Sequence, residues 1–222
     1  MLNLHHLNNS RSFRILWLLE ELELDYQLTS YQRTKAYLAP ESLKKVHPLG
    51  HTPVLEVDDR ALAESGFIIE YLLRHYDTEH QFKPSDDNEA AWEAYTFWLH
   101  FAEASAMPPL VMRLVFSKVV ERSPLLIKPI SKGIRKQVED GMINNNITNN
   151  LKLMEQQLQD NHWFAGEAFS AADIQMYIVV AASNARAGMD KVRYANLLNW
   201  LKRCQERPAF KRAEEKGGTP QF

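Results

Sequence analysis

The stretch at residues 47–76, HPLGHTPVLEVDDRALAESGFIIEYLLRHY, restricts the fold more than any other part of the chain. Pro48 and Gly50 indicate a loop, and the β-branched, alternating run Val54–Val57 is typical of a strand. A polar turn then folds residues 61–63 back as an antiparallel strand. Apolar residues recur at helical spacing through the rest of the stretch. The stretch therefore predicts a loop, a β-hairpin and a helix, in that order.

Glu64 and Ser65 stand where that helix begins. The first N–H groups of a helix have no partner within it and carry a partial positive charge, so a helix start is suited to binding a carboxylate. Ser65 adds a hydroxyl donor and Glu64 can accept from an ammonium group, so together they match the charged end of an α-amino acid. The structural alternative is that Ser65 only caps the helix and Glu64 only favours its dipole.

Thr52 and Pro53 directly precede the first strand of the hairpin. Proline is tolerated at a strand start because its nitrogen need not join the ladder. If the bond between the two residues is cis, the backbone of Thr52 faces outward and can pair with an extended peptide. Most bonds before proline are trans, and the sequence leaves the isomer open.

Upstream, the chain predicts further elements of the same unit. A short strand at 2–7 ends at Asn8-Asn9-Ser10, and either Ser10 or Ser12 is placed to cap a helix at 13–24. A second strand at 26–29 and a short helix at 40–45 follow. Residues 1–76 therefore predict the order βαβαββα.

The remainder of the chain predicts helices only. The acidic, aperiodic segment 78–88 is interpreted as a linker between one domain at 1–77 and another at 89–222. Pro108-Pro109 predicts a kink beside Met107 and Met112, two side chains that would form an adaptable apolar wall of a ligand cleft.

A capping box is predicted at residues 169–174, FSAADI. Ser170 and Asp173 have the spacing that closes the start of a helix by reciprocal hydrogen bonds. Because this pattern concerns folding, we assign these two residues no catalytic role.

Composition excludes several classes of protein. Hydrophobic residues are 45% and charged residues 24% of the 222 residues, as in ordinary soluble proteins. The net charge of −2 gives no reason to expect nucleic acid or an anionic membrane as a partner. The single cysteine, Cys204, excludes an intrachain disulfide, and the histidines show no helical metal-binding pair. Since neither a signal core nor a run of ~20 apolar residues is present, we expect a cytoplasmic protein without metal.

Taken together, the motifs resemble the cytosolic glutathione transferase family. HPLGHTPVLEV followed by LAESGFIIEYLLRHY is similar to its glutathione-binding half, and the resemblance continues in LNNSRSFRILWLLEELELDYQL and FSAADIQMYIVV. It is nearest to fungal and bacterial members with a serine near the end of the first strand. The resemblance implies an N-terminal thioredoxin-like domain, an all-helical C-terminal domain, and conjugation of the glutathione thiolate to small hydrophobic electrophiles.

The resemblance also implies how glutathione would be held. Thr52, before Pro53, would pair through its backbone with the cysteinyl unit. Glu64 and Ser65 would hold the γ-glutamyl end. A basic residue usually stands two places before the proline, and here that position is occupied by His51.

Because His51 departs from the family pattern, Arg33 and Lys35 are candidates for binding the glycine carboxylate. The family resemblance further implies a homodimer. Glu103, a lone acid in a largely aromatic run, would approach the glutathione amine across that interface, and the alternative is that it is only the polar edge of its helix.

Two serines compete for the catalytic role. Transfer requires the thiolate, whereas a free thiol titrates near ~8.5, and a hydroxyl donor at a helix start favours the anion. Ser10 lies four residues before Arg14, where serine-using relatives place the catalytic hydroxyl, and Ser12 is expected to cap the helix. A hydroxyl cannot form a disulfide, so thiol exchange through a protein cysteine is excluded at this position.

Two other functions remain open. One is a glutathione-dependent peroxidase or disulfide-bond reductase that uses the same pocket. The other is a non-catalytic binding protein on the same fold, against which a complete glutathione site argues.

Overall fold

The computed structural model describes residues 1–34, 36–85 and 87–221. The N-terminal half has the predicted order of elements: β1 (Leu2–Leu7), α1 (Ser12–Glu21), β2 (Gln27–Tyr31), a 3₁₀ helix (Glu41–Lys45), β3 (Val54–Val57), β4 (Arg60–Ala63) and α2 (Ser65–Tyr76). In the sheet order β2-β1-β3-β4, β1 is parallel to β2 and antiparallel to β3. The predicted thioredoxin-like fold is confirmed, with a 3₁₀ helix as its second helical element.

Helix α1 ends three residues before the predicted residue 24. Glu23 has φ 52°, in the left-handed region that a continuing helix cannot use. The amide of Leu24 bonds instead to the carbonyl of Leu19, at 3.1 Å, and closes the helix. The second strand accordingly begins at Gln27, one residue later than predicted.

The C-terminal half is helical, as predicted. It comprises α3 (Glu89–Phe101), a π-helical turn (Ala102–Ala106), α4 (Met107–Arg122), α5 (Lys128–Val138), a second π-helical turn (Glu139–Ile143), α6 (Asn144–Asp160), α7 (Ala171–Ala187), α8 (Ala195–Glu206) and α9 (Pro208–Gly217). Pro108 and Pro109 lie in the first turn of α4, where a missing N–H breaks little. The irregularity expected at these prolines occurs in the π-helical turn just before them.

The capping box begins α7, the central buried helix. The carboxylate of Asp173 accepts hydrogen bonds from the Ser170 amide at 3.0 Å, the Phe164 amide at 3.0 Å and Trp200 Nε1 at 2.9 Å. Burial raises the pKa of Asp173 to about 6, and these donors oppose that rise. The predicted structural role of this motif is confirmed.

Helix α9, which the sequence did not predict, joins the two halves of the chain. Phe210 is fully buried against Trp17 of α1, with ring centroids 5.0 Å apart. Arg212 and Lys216 form ion pairs with Glu20 of α1. The end of the chain is therefore held against the first helix and the first strand.

None of the described helices has both the length and the apolar character needed to cross a membrane. In the part of the chain that the structure describes, no three His, Cys, Asp or Glu side chains form a metal-binding group. The division into domains at 1–77 and 89–222, joined by 78–88, remains our proposal.

Candidate active site

Ser10 lies in the loop between β1 and α1, and the residue is partly buried. Ser10 Oγ is 2.9 Å from Thr52 Oγ1 and 2.7 Å from Ser12 Oγ, and it accepts a hydrogen bond from the Ser12 amide at 3.2 Å. The Thr52–Pro53 bond is cis. The structure thus brings together three of the predicted residues, from two loops that lie far apart in the sequence.

Ser12 does not cap α1, so that expectation is wrong. Its side chain is fully buried and turns back onto β1. Ser12 Oγ lies 2.9 Å from His6 Nδ1 and accepts a hydrogen bond from the Leu7 amide at 3.2 Å. Because the Ser12 hydroxyl is hydrogen-bonded to groups of β1, it is not available to cap α1.

His6 is a site neighbour that the sequence did not reveal. It is 3% exposed, and its Nε2 lies 3.0 Å from the carbonyl oxygen of Gly217, at the end of α9. Burial lowers the pKa of His6, and the carbonyl acts in the opposite direction. Local periodicity cannot predict a contact between residues 211 positions apart.

The first turn of α1 also carries a buried arginine. The side chain of Arg14 is 0% exposed and donates through Nη1 to Glu103 at 2.5 Å and to Ser65 Oγ at 3.4 Å. Arg11 Nε donates to the same Glu103 oxygen at 2.9 Å. Burial alone would raise the pKa of Glu103, but Arg14 and Arg11 outweigh burial and hold it below its ordinary value.

Glu103 is therefore an ion-pair partner within its own chain, and its approach to glutathione across a dimer stays a prediction. Arg14 also keeps two buried nitrogens, Nε and Nη2, without a partner among the residues that the structure describes. A buried, partly unsatisfied guanidinium beside Ser65 makes this end of the site suited to an anion.

Ser65 is the first residue of α2 and is 4% exposed. The residue before it, Glu64, has φ 73° and an exposed side chain. The cap position is occupied by Glu64, whose side chain makes no capping bond, so the simple alternative of a Ser65 N-cap is not realised. Ser65 instead shares Arg14 with Glu103.

Two of the residues predicted for the glycine end make hydrogen bonds within the protein. His51 is exposed, and its Nδ1 is 3.2 Å from the Leu49 carbonyl oxygen. The guanidinium of Arg33 donates to three backbone carbonyls, those of Asn8 at 3.2 Å, Asn9 at 2.8 Å and Tyr37 at 3.1 Å, so it braces the loop before Ser10. Lys35 lies outside the described residues. Binding of the glycine carboxylate stays a prediction for all three.

Met107 is buried and Met112 is partly buried, both on α4. A surface cleft of about 570 Å³ lies elsewhere, between the segment after α2, α3 and the loop before α7. Neither methionine lines that cleft. The cleft therefore does not test the predicted electrophile pocket at Met107 and Met112, which stays a prediction.

A four-stranded thioredoxin-like unit, a helical C-terminal part and hydroxyls gathered at two helix starts define the class of protein. Comparison with known proteins shows the family to which this chain belongs. The model of the glutathione S-transferase N-terminal domain matches residues 2–74, and that of the C-terminal domain matches residues 125–216. Glutathione S-transferase 3 of Schizosaccharomyces pombe is 36% identical over 216 residues, which cover 97% of this chain and 88% of the relative.

Glutathione S-transferase 1 of Saccharomyces cerevisiae is 31% identical over 224 residues, with 97% of this chain and 95% of the relative covered. A crystal structure of a glutathione S-transferase from Actinobacillus pleuropneumoniae is 31% identical with a TM-score of 0.78, covering 98% of this chain and 93% of that one. The chain belongs to the glutathione S-transferase family, so the predictions of the family and of an enzyme are confirmed.

A more distant relative carries a different name. The disulfide-bond oxidoreductase YfcG of Escherichia coli is 27% identical over 218 residues, which cover 94% of this chain and 92% of the relative.

Proposed function

We propose that the protein conjugates the thiolate of glutathione to small hydrophobic electrophiles. The observation that carries the proposal is the arrangement around the first turn of α1. There the Ser10 hydroxyl meets Thr52, and Arg14 connects Ser65 to Glu103. This arrangement supplies a hydroxyl for a sulfur atom at one end and cationic and helix-start donors for a carboxylate at the other.

Each residue then has a distinct role. Ser10 stabilises the thiolate, while Ser12 orients Ser10 through the hydrogen bond between their hydroxyls. The backbone of Thr52 pairs with the cysteinyl unit, and Glu64 and Ser65 hold the γ-glutamyl end. The buried guanidinium of Arg14 adds positive charge beside that carboxylate.

The second candidate is a glutathione-dependent disulfide reductase or peroxidase in the same pocket. It is favoured by the similarity to the oxidoreductase YfcG. The site itself holds hydroxyls and no protein thiol, because Cys204 lies in α8 and is buried. Glutathione would then have to supply the thiol chemistry in either reaction.

We further propose that the protein is a homodimer and that, as the sequence suggests, it acts in the cytoplasm. Large apolar side chains stay exposed on α2 and α3, with Phe67 54%, Trp92 41% and Phe97 50% exposed. A face of this kind is typical of an interface between subunits. Light scattering should give a dimer that Phe67→Glu dissociates. Leu126→Glu, at an exposed position between α4 and α5, should remain a dimer and serves as the control.

Activity distinguishes the candidate reactions. The purified protein and glutathione would be assayed in parallel with a chlorinated nitroaromatic, a hydroperoxide and a mixed disulfide. We expect the fastest turnover with the aromatic electrophile. Turnover only with the disulfide or the hydroperoxide would replace conjugation with the second candidate, and turnover with none of the three would leave the protein without the proposed activity.

A further inference from the structure

His6, Ser12 and Ser10 form a continuous row of hydrogen bonds from the interior to the partly open end of the site. The three contacts measure 3.0 Å from the Gly217 oxygen to His6 Nε2, 2.9 Å from His6 Nδ1 to Ser12 Oγ, and 2.7 Å from Ser12 Oγ to Ser10 Oγ. All are within ordinary hydrogen-bond range. The row connects the end of α9 to the hydroxyl that we place beside the glutathione sulfur.

The inner end of the row sets its direction. A carbonyl oxygen can only accept, so His6 Nε2 must carry the hydrogen that points to Gly217. In neutral imidazole the other nitrogen, Nδ1, is then an acceptor. The Ser12 hydroxyl must donate to it, because turning instead to the Leu7 carbonyl at 3.3 Å would leave a buried acceptor unpaired.

This direction continues to Ser10. Because the Ser12 hydroxyl already donates its hydrogen to His6, Ser10 must be the donor in the short contact between the two serines. Ser10 then accepts from the Ser12 amide at 3.2 Å and from Thr52 Oγ1 at 2.9 Å. In the free protein, therefore, the Ser10 hydrogen faces away from the place of the thiol, and a thiol can donate to Ser10 only by displacing the Thr52 hydroxyl from the second lone pair.

From this we infer that His6 is the proton acceptor at the inner end of the row and that it receives the thiol proton through Ser10 and Ser12. The inference rests on the proposed function. The thiol proton passes to Ser10 Oγ, the Ser10 proton passes to Ser12 Oγ, and the Ser12 proton passes to His6 Nδ1. One S–H bond breaks and one N–H bond forms, while both serines end as neutral hydroxyls. Glutathione ends as the thiolate and His6 as the imidazolium.

The transfer also reverses the hydrogen bonds between His6 and Ser12 and between Ser12 and Ser10, and it changes Ser10 from an acceptor to a donor toward the sulfur. His6 now donates to Ser12, Ser12 donates to Ser10, and Ser10 donates to the thiolate, which is the state that favours transfer. His6 acts through the two serines, and is in that sense a positioning residue. Lys216, one residue before Gly217, is paired with Glu20 on α1, and the adjacent His5 contacts Glu56.

The ligand-free protein tests the premise. Nitrogen NMR of His6 should show the neutral tautomer with the hydrogen on Nε2. A hydrogen on Nδ1 would overturn the inference whatever the activity of the protein, because the row would then run the opposite way before any thiol bound.

Proton counting tests the transfer itself. Glutathione binding would be measured by calorimetry in buffers of different ionisation enthalpy, with thiolate absorbance recorded in parallel. Burial lowers the pKa of His6, while the thiolate formed at the other end of the row favours its charged form. In the unsubstituted protein the thiolate should therefore form with clearly less than one proton released to the buffer, since part of the proton stays on His6. In His6→Asn, which keeps an acceptor beside Ser12, and in His6→Gln, which keeps a donor to Gly217, each thiolate formed should release about one proton.

The control is His5→Asn, the adjacent buried histidine on β1, which should behave like the unsubstituted protein. If the unsubstituted protein forms the thiolate and releases a full proton, the transfer to His6 is wrong while glutathione binding and the proposed function stand. If glutathione does not bind at all, the proposed function fails and the inference fails with it.

Discussion

Helix α7 begins just after Ser170 and helix α1 just after Ser10, and these two serines have different surroundings. Ser170, at the start of α7, is 3% exposed, and its amide and hydroxyl both donate to Asp173, three residues away. Ser10, before α1, is partly exposed and contacts Thr52, which is 42 positions away. The first serine has all its partners within one turn of a buried helix, as folding requires. The second gathers partners from separate loops and keeps an accessible side, which is the pattern of a binding site.

The largest effect is expected on the stability of the fold, when the partner of the buried Ser170, Asp173, is replaced. Asp173→Ala leaves the amides of Phe164 and Ser170 and the indole of Trp200 without their acceptor. Because each unsatisfied buried donor is costly, we expect the free energy of unfolding to fall by about 3 kcal/mol or more. Urea unfolding measures this. The control, Asp190→Ala at an exposed loop, should cost about 1 kcal/mol or less, and equal losses in the two variants would contradict this account of α7.

At the binding site, Ser65→Ala should weaken glutathione binding by about 1–2 kcal/mol, the size of a hydrogen bond to a charged group. Calorimetry measures the affinity. Since Ser65 also contacts Arg14, unfolding of the variant should be followed in parallel. An unchanged affinity would remove Ser65 from the site.

Ser170→Ala supplies the matched comparison. Loss of its hydroxyl should lower the free energy of unfolding by about 1 kcal/mol, while glutathione affinity stays the same. A weaker affinity at unchanged stability would mean that the motif at α7 is functional rather than structural.

How much of this the sequence predicted depends on distance along the chain. The order of strands, the hairpin and the box at Ser170 follow from neighbouring residues, and all three are present. The docking of α9 and the ion pair of Arg14 with Glu103 join residues 89 or more positions apart, and no local periodicity encodes them. Ser12 was predicted as a cap because its position fits one, but the neighbouring strand offered His6 and Leu7 as partners.

A smaller effect on stability should appear at acidic pH, because the carboxylate of Glu20 holds α9 against α1. Burial alone would raise the pKa of Glu20, but Lys216, Tyr26 and Arg212 outweigh burial and lower it. A lowered carboxylate pKa stabilises the fold above the unfolded value, and the stabilisation is lost as the pH falls through the folded value.

Unfolding followed across acidic pH should therefore show a decline that Glu20→Gln reduces, with lower stability of that variant at neutral pH. Glu215→Gln, at an exposed position on α9, is the control and should leave the profile unchanged. If both variants gave the profile of the unsubstituted protein, Glu20 would not anchor α9.

The central claim is that Ser10 serves chemistry and Ser170 serves folding. It is tested most directly by measuring kcat/KM for conjugation, at neutral pH, in Ser10→Ala and Ser170→Ala, with urea unfolding of both. We predict a loss of about ten-fold or more for Ser10→Ala, equivalent to ~1.4 kcal/mol, with stability retained. We predict unchanged kcat/KM for the folded fraction of Ser170→Ala. Full activity of Ser10→Ala, or an equal loss of activity in both variants, would contradict the account.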